Sequence, residues 1–115
     1  MKSENIYANG PICDCLGSTP QLRVLMFFIA NPVLDYDKTE IAQATGMTRQ
    51  TVYSAIAPLE RFGLIEVRRK IANTSLYHRK SSTTIDSIIK FNDALARVIW
   101  EEEKTKTEKQ PNITS

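Results

Sequence analysis

Apolar residues recur at helical spacing in the first part of the chain, between two prolines. They lie three or four positions apart, which places them on one face of a helix: Leu22, Leu25, Met26 and Ile29. Ser18-Thr19-Pro20 supplies a capping hydroxyl and a proline suited to a first helical turn, and Asn31-Pro32 stops the run. The pattern predicts a first core helix.

Two further helices, joined by a tight turn, follow a short extended connector at residues 33–37. Asp37 is placed to cap a helix that runs to Ala44, and Gly46 ends it, because glycine adopts a positive φ without strain. Thr48 is a good cap for the next helix, predicted over residues 48–62. The order is helix, tight turn, helix.

The helix that begins at Thr48 is predicted to have one packed side and one open side. With Val52 as the reference, the packed side holds Thr48, Ala55, Ile56, Leu59 and Phe62, and the open side holds Gln50, Tyr53, Ser54, Ala57 and Arg61. Pro58 lacks the amide that would bond the Ser54 carbonyl, so we expect a kink or a loosened turn there.

A change from helical to alternating periodicity predicts a β-hairpin after Gly63. Residues 64–69 and 76–80 form its strands, and Asn73-Thr74-Ser75 supplies the turn. A last helix over residues 84–103 has apolar positions at three- and four-residue spacing. The fold class is therefore mainly α with a small β-hairpin (α+β).

Charge is distributed unevenly over the 115 residues. The chain carries a formal net charge of +2, yet residues 49–80 hold seven basic side chains against only Glu60 and Glu66, a net +5, which leaves −3 elsewhere. Such asymmetry is typical of a surface that meets a polyanion. Solvated surfaces also carry charge runs, so the charge alone does not decide the function.

Several function classes are disfavoured by composition. The longest apolar run is too short to cross a bilayer and no secretory signal is evident, so we expect a cytoplasmic protein with no membrane partner. One histidine and no glycine-rich phosphate loop leave little for catalysis, so no enzyme and no cofactor are predicted. Cys13-Asp14-Cys15 lacks further ligands for a metal site, and none is predicted.

Three helices followed by a basic hairpin suit the binding of double-stranded DNA. A helix held by two others offers its free face and its first turn to the major groove, where base edges and phosphates are reachable. Arg49 and Gln50 lie in that first turn, Tyr53, Ser54 and Ala57 continue the open face, and Thr51 with the amides beside Thr48 suits a phosphate. Basic residues at the hairpin's ends include Arg79.

These residues carry a family resemblance. The run from Thr39 to Tyr53, followed by Leu59-Glu60-Arg61-Phe62-Gly63-Leu64-Ile65, resembles winged helix-turn-helix transcriptional regulators of the MarR/ArsR-like class, and the stretch from Arg68 to Tyr77 is similar to the wing of prokaryotic, especially archaeal, members. The resemblance implies that the helix from Thr48 reads the major groove. It also implies that the wing approaches the phosphate backbone or minor groove through Arg68, Arg69, Lys70, Asn73, Thr74 and Ser75.

The sequence pattern also divides the chain. It predicts an N-terminal arm (1–15), a winged helix-turn-helix DNA-binding domain (16–83), a dimerisation helix (84–103) and a flexible tail (104–115). The last helix holds more apolar surface than a small domain can cover, which favours a homodimer with these interface residues: Ile85, Ile88, Ile89, Asn92, Leu95 and Ile99. Asn92 at a seam position would fix the register of paired helices.

Two alternatives to a homodimeric DNA-binding regulator stay open at this point. One is a winged-helix module that binds protein within a larger assembly. The other is a regulator that senses a metal or a small-molecule effector, which is possible but not indicated. His78, the single histidine, is interpreted as an ordinary surface residue.

Overall fold

The computed structural model describes residues 10–114, with side chains described for residues 10–105. Its helices are α1 (Pro11–Leu16), α2 (Pro20–Ala30), α3 (Lys38–Thr45), α4 (Arg49–Arg61) and α5 (Thr83–Thr114), and its strands are β1 (Ile65–Ile71) and β2 (Thr74–Arg79). Among these described residues, no helix combines the length and the apolar character needed to cross a bilayer.

Side-chain caps start the central helices where the sequence predicts them. Thr19 Oγ1 accepts a hydrogen bond from Leu22 N at 3.2 Å at the start of α2. Asp37 and Glu40 form a reciprocal capping box at α3, with Glu40 N donating to Asp37 Oδ1 at 2.8 Å and Asp37 N donating to Glu40 Oε1 at 2.9 Å. Gly46 then ends α3 at φ 72°, so the predicted tight turn is confirmed.

The main core lies where α2, α3, α4, the hairpin and the start of α5 meet. Its members are fully or nearly buried: Val24, Leu25, Phe27, Phe28, Ile41, Ala42, Val52, Ala55, Ile56, Leu59, Ile65, Tyr77 and Ile85. A second, smaller cluster of Ile12, Cys13 and Met26 joins α1 to α2, with Leu95 of α5 packed against it. Leu22 and Ile29 of α2 pack against both clusters.

Helix α4 continues through Pro58 without interruption. Val52, Ala55, Ile56 and Leu59 are buried as predicted. Phe62 is not, because α4 ends at Arg61 and Phe62, as the C-cap residue, leaves the helical face; it is 69% exposed. The assignment of Phe62 to the packed side is therefore wrong.

The hairpin turn lies one position earlier than predicted. Ile71 pairs with Thr74, so the two-residue turn is Ala72-Asn73, and Thr74 and Ser75 belong to β2. Ala72 adopts φ 57°, which supplies the left-handed backbone that a tight hairpin turn requires. The connector contributes a bridge, with Tyr36 N donating to Tyr77 O at 2.9 Å and Tyr77 N donating to Tyr36 O at 2.8 Å.

Both ends of the domain contain more helix than expected. Residues 11–16, predicted to be largely part of an arm, form α1, which buries Ile12 and Cys13 against the domain. Asn92 Oδ1 accepts a hydrogen bond from Ile12 N at 3.1 Å, and so caps the first turn of α1 from α5. Helix α5 continues to Thr114 instead of ending at Glu103.

Candidate nucleic-acid interface

The open face of α4 presents polar side chains to solvent. Arg49, Gln50, Tyr53, Ser54 and Ala57 are all exposed, opposite the buried face that packs on α2 and α3. The open face is the one that the sequence predicts, whereas Thr48 and Phe62, both predicted for the packed face, are exposed. A helix held on one side and open along the other can enter the major groove of DNA.

Two threonines shape the start of α4. Thr48 Oγ1 accepts a hydrogen bond from Thr51 N at 3.1 Å and donates one to Thr51 Oγ1 at 2.9 Å. Thr51 is half-buried. Both hydroxyls already take part in local hydrogen bonds, so these residues act first in fixing the helix start, and the amides of that turn are the groups presented to an anion.

Lys38, which the sequence analysis does not single out, supports Tyr53. Its Nζ lies 4.1 Å from the centre of the Tyr53 ring and 5.9 Å from that of Tyr77. The contact with Tyr53 has cation–π geometry and links α3 to the open face of α4. Burial raises the pKa of Tyr77, with the Glu60 charge and Tyr53 adding to the effect. No local pattern announces these contacts, because the partners are distant in sequence.

A polar cleft joins the start of α3, the start of α4 and the hairpin turn. It has a volume of about 190 Å³ and is lined by Asp37, Lys38, Thr39, Arg49, Asn73, Thr74 and Ser75. The structure thus brings Arg49 and the predicted turn residues together. Lys38 and Thr39, in the first turn of α3, also line the cleft.

The basic residues of the hairpin differ in their surroundings. Arg68 and Lys70 are exposed, and Arg69 Nε donates a hydrogen bond to Asp35 Oδ2 at 3.0 Å. Arg79 is half-buried and its Nη1 donates to Ile29 O at 3.3 Å, at the end of α2. The Arg79 side chain thus ties the hairpin to α2, and its contact with DNA stays a prediction.

The comparisons with known proteins agree with this architecture. Residues 23–76 match the family described as the Crp-like helix-turn-helix domain. Two solved structures share the fold: MepR, a transcription regulator of the Staphylococcus aureus multidrug efflux pump MepA (TM-score 0.60, 20% identity), and a point mutant of S. aureus MepR (0.57, 21%). Each alignment covers 94% of this chain and 76% of the other chain. The chain therefore has a winged helix-turn-helix fold, like these two structures.

The predicted winged helix-turn-helix fold, with a hairpin wing and a long last helix, is confirmed. No curated protein sequence matches the chain. The likeness to archaeal regulators stays a prediction.

Helix α5 of the winged-helix protein uses most of its predicted interface residues within one chain. Ile85 is 1% exposed in the main core, Ile88 and Ile89 pack against that core, and Leu95 packs against the second cluster. Asn92 caps α1. Ile85 is buried within the single chain, so its place in an interface between chains is corrected. Ile88, Ile89, Asn92 and Leu95 are half-buried and Ile99 is exposed, so their place in an interface stays a prediction.

A different apolar surface remains open on the same helix. Phe91, Val98, Ile99 and Trp100 are exposed, with Val98 at 56% and Trp100 at 59%, and Leu16 at the end of α1 is exposed as well. A groove of about 330 Å³ between α1 and α5 lies among them, with Cys15, Leu95, Val98 and Ile99 in its lining. The sequence pattern shows this second flank, but only the packing of α1 reveals which flank is free.

The remaining candidate groups are the cysteines and the histidine. Cys13 and Cys15 are free thiols, one buried and one exposed, and burial raises the pKa of Cys13, partly offset by a hydrogen bond with Ser18. Within the described side chains, histidine, cysteine and acidic residues form no group of three that would hold a metal ion. His78 is half-buried and lies beside Asp35, so its interpretation as an ordinary surface residue is corrected.

Proposed function

We propose that this protein regulates transcription as a homodimer that binds double-stranded DNA sequence-specifically in the cytoplasm. Helix α4 enters the major groove, and the wing of β1 and β2 lies on the phosphate backbone or in the minor groove. The observation that carries the proposal is the open polar face of α4, flanked by a wing with exposed basic residues.

Base reading falls to the first two turns of α4. Arg49 and Gln50 are exposed at its start, and their long polar side chains suit guanine and adenine edges respectively. Tyr53 follows one turn later, supported by Lys38. The polar cleft beside Arg49 suits the phosphate backbone of the DNA strand that Arg49 contacts. Phosphate contacts of this kind orient a helix in the groove without specifying sequence.

Homodimerisation is supported by the apolar surface of Leu16, Val98, Ile99 and Trp100. Exposed apolar groups gathered on one helix and its neighbour favour association, and a two-fold dimer matches two half-sites about one helical turn apart on DNA. This surface lies on α1 and α5, so pairing there leaves α4 and the wing open.

Binding to DNA is tested by fluorescence anisotropy with a random duplex and with duplexes selected from a random library. We expect affinity for random duplex that falls steeply with salt and a higher affinity for the selected sites. R49A/Q50A should remove the preference for selected sites, whereas R68A/K70A should weaken all duplexes and reduce the salt slope by about 2, roughly one per phosphate contact.

A matched control is K90A/R97A, which removes the same two positive charges from exposed positions of α5. It should leave the salt slope close to that of the unmodified protein. Absence of measurable binding at low salt would overturn the proposal and favour a winged-helix module that binds protein.

Dimerisation is tested by light scattering after size exclusion. We expect a mass twice the 13.0 kDa of one chain, reduced to the mass of one chain in V98E/W100E. V33E/L34E makes the same change at two exposed apolar residues of the connector and should stay dimeric. A monomeric unmodified protein, or dissociation of both variants, would contradict the interface.

A further inference from the structure

Asp35, in the connector between α2 and α3, contacts both strands of the wing. Its Oδ2 accepts the Arg69 Nε hydrogen bond from β1 at 3.0 Å, and its Oδ1 lies 3.0 Å from His78 Nδ1 of β2. Next to it, Tyr36 forms the backbone bridge to Tyr77. One carboxylate and one bridge therefore join the connector to the wing.

The environments of the two partners in the Arg69 contact are unequal. The Asp35 side chain is 13% exposed, whereas the Arg69 side chain is 61% exposed. A largely buried carboxylate is held in a defined place by its surroundings, and it can therefore fix the exposed group that it binds. In this pair Asp35 restrains the side chain of Arg69, and not the reverse.

The geometry of the guanidinium makes this contact compatible with a second one. Arginine has five N–H donors, of which Asp35 engages the single one on Nε, so the four on the terminal nitrogens are left for another acceptor. A side chain bound at Nε and open at its terminal nitrogens is preorganised to donate to phosphate or to base edges.

The strand itself directs Arg69 toward the connector. The register of β1 and β2 shifts between Val67 and Arg69, with Val67 opposite Tyr77 and Arg69 opposite Leu76. Arg68 is the extra residue of this bulge, and bulges change the direction in which the neighbouring side chains point. Arg68 has no ion-pair partner among the described side chains.

We propose that Asp35 is a positioning residue for DNA recognition: it holds Arg69 by Nε so that the terminal nitrogens face the duplex. The inference rests on the proposed function and adds a residue to it. It also carries an unusual sign, because Asp35 is itself negative. If only charge mattered, removal of Asp35 would strengthen binding to DNA; if Asp35 positions Arg69, removal weakens it.

The test is the affinity of D35N for a selected duplex, measured beside E66Q, which removes a negative charge from the same strand as Arg69. Immobilising a long side chain on binding lowers the affinity, and Asp35 already restrains Arg69 in the free protein. D35N should therefore weaken binding about two- to tenfold. E66Q should bind as well as the unmodified protein or better. In an R69A background, D35N should no longer weaken binding, because Asp35 acts through Arg69.

A measurement on the unmodified protein covers the case in which D35N does not fold. Nitrogen-15 relaxation of the arginine side chains should show Arg69 Nε–H more ordered than Arg68 Nε–H in the free protein. Equal mobility of the two groups would overturn the inference, as would D35N binding as tightly as E66Q. Those results leave DNA binding by the unmodified protein intact, whereas its absence would overturn the proposed function as well.

Discussion

Asn92 links α5 to α1, and its replacement by leucine should release α1 from α5. Asn92 Oδ1 accepts the hydrogen bond from Ile12 N at 3.1 Å, an amide that has no acceptor within its own helix because it lies in the first turn of α1. Leucine has the same branched shape but offers no acceptor. The change therefore removes the cap and little else.

The expected cost follows from the size of α1. Losing a helix cap costs about 1 kcal/mol, and leaving a partly buried amide unpaired costs about 1–3 kcal/mol. Both figures describe the loss of the same hydrogen bond, so they are not added. We take about 1–2 kcal/mol for N92L. Burial of Ile12, the main apolar anchor of this six-residue helix, contributes only about 1.5–3 kcal/mol. The loss is thus comparable with what holds α1 in place.

Hydrogen exchange followed by mass spectrometry measures this directly. Amide protection in residues 11–16 should fall about 5- to 30-fold in N92L, the equivalent of 1–2 kcal/mol, while protection in α4 is retained. The buried thiol of Cys13 should also become more reactive toward iodoacetamide, because burial is the main cause of its raised pKa and the thiolate is the reactive form. N92D keeps an acceptor oxygen and serves as the control.

Two results would refute the reasoning. Unchanged protection of residues 11–16 in N92L would mean that the Asn92 bond does not hold α1. Equal loss of protection in α1 and α4 would mean that Asn92 supports the whole core.

Two further predictions concern the wing. A72G should stabilise the protein by about 0.5 kcal/mol in urea unfolding, because the strain of φ 57° at a non-glycine residue exceeds the entropy that glycine adds to the unfolded chain. The control A57G, within α4, should instead destabilise the protein by about 1 kcal/mol. A loss of stability in both variants would contradict the assigned turn. Because burial raises the pKa of Tyr77 above its unfolded value of about 10, its contribution is fully present below about pH 10 and is lost as the pH rises through the folded-state pKa. The unfolding free energy of Y77F should therefore fall less steeply above about pH 10 than that of the unmodified protein, and equal slopes would rule out Tyr77 as the group responsible.

Local signals in the sequence are sufficient for the order of the elements from α2 onward. A capping residue and a glycine bound α3, and the apolar period of α4 separates its buried face from its open one, so these could be predicted without tertiary information. The hairpin was predicted from alternation, but its turn was misplaced by one position because alanine at φ 57° has no sequence signature.

What the sequence could not show depends on contacts between distant residues. The pairing of Asn92 with Ile12 spans 80 positions and turns a predicted register residue into a cap. Asp35 stands 34 positions from Arg69, and nothing in its neighbourhood distinguishes it from an ordinary connector residue. The free flank of α5 likewise becomes visible only after α1 has packed against the other one.

Leu22 and Ile29 pack against both apolar clusters, which gives α2 a share in each half of the protein. A substitution at either position alters the packing beneath α4 and beneath α1 at the same time. It should therefore change DNA affinity and association together, and its effects should not add to those of substitutions in either cluster. Leu22 and Ile29 therefore support both the open face of α4 and the apolar surface on α1 and α5, although neither residue belongs to either surface.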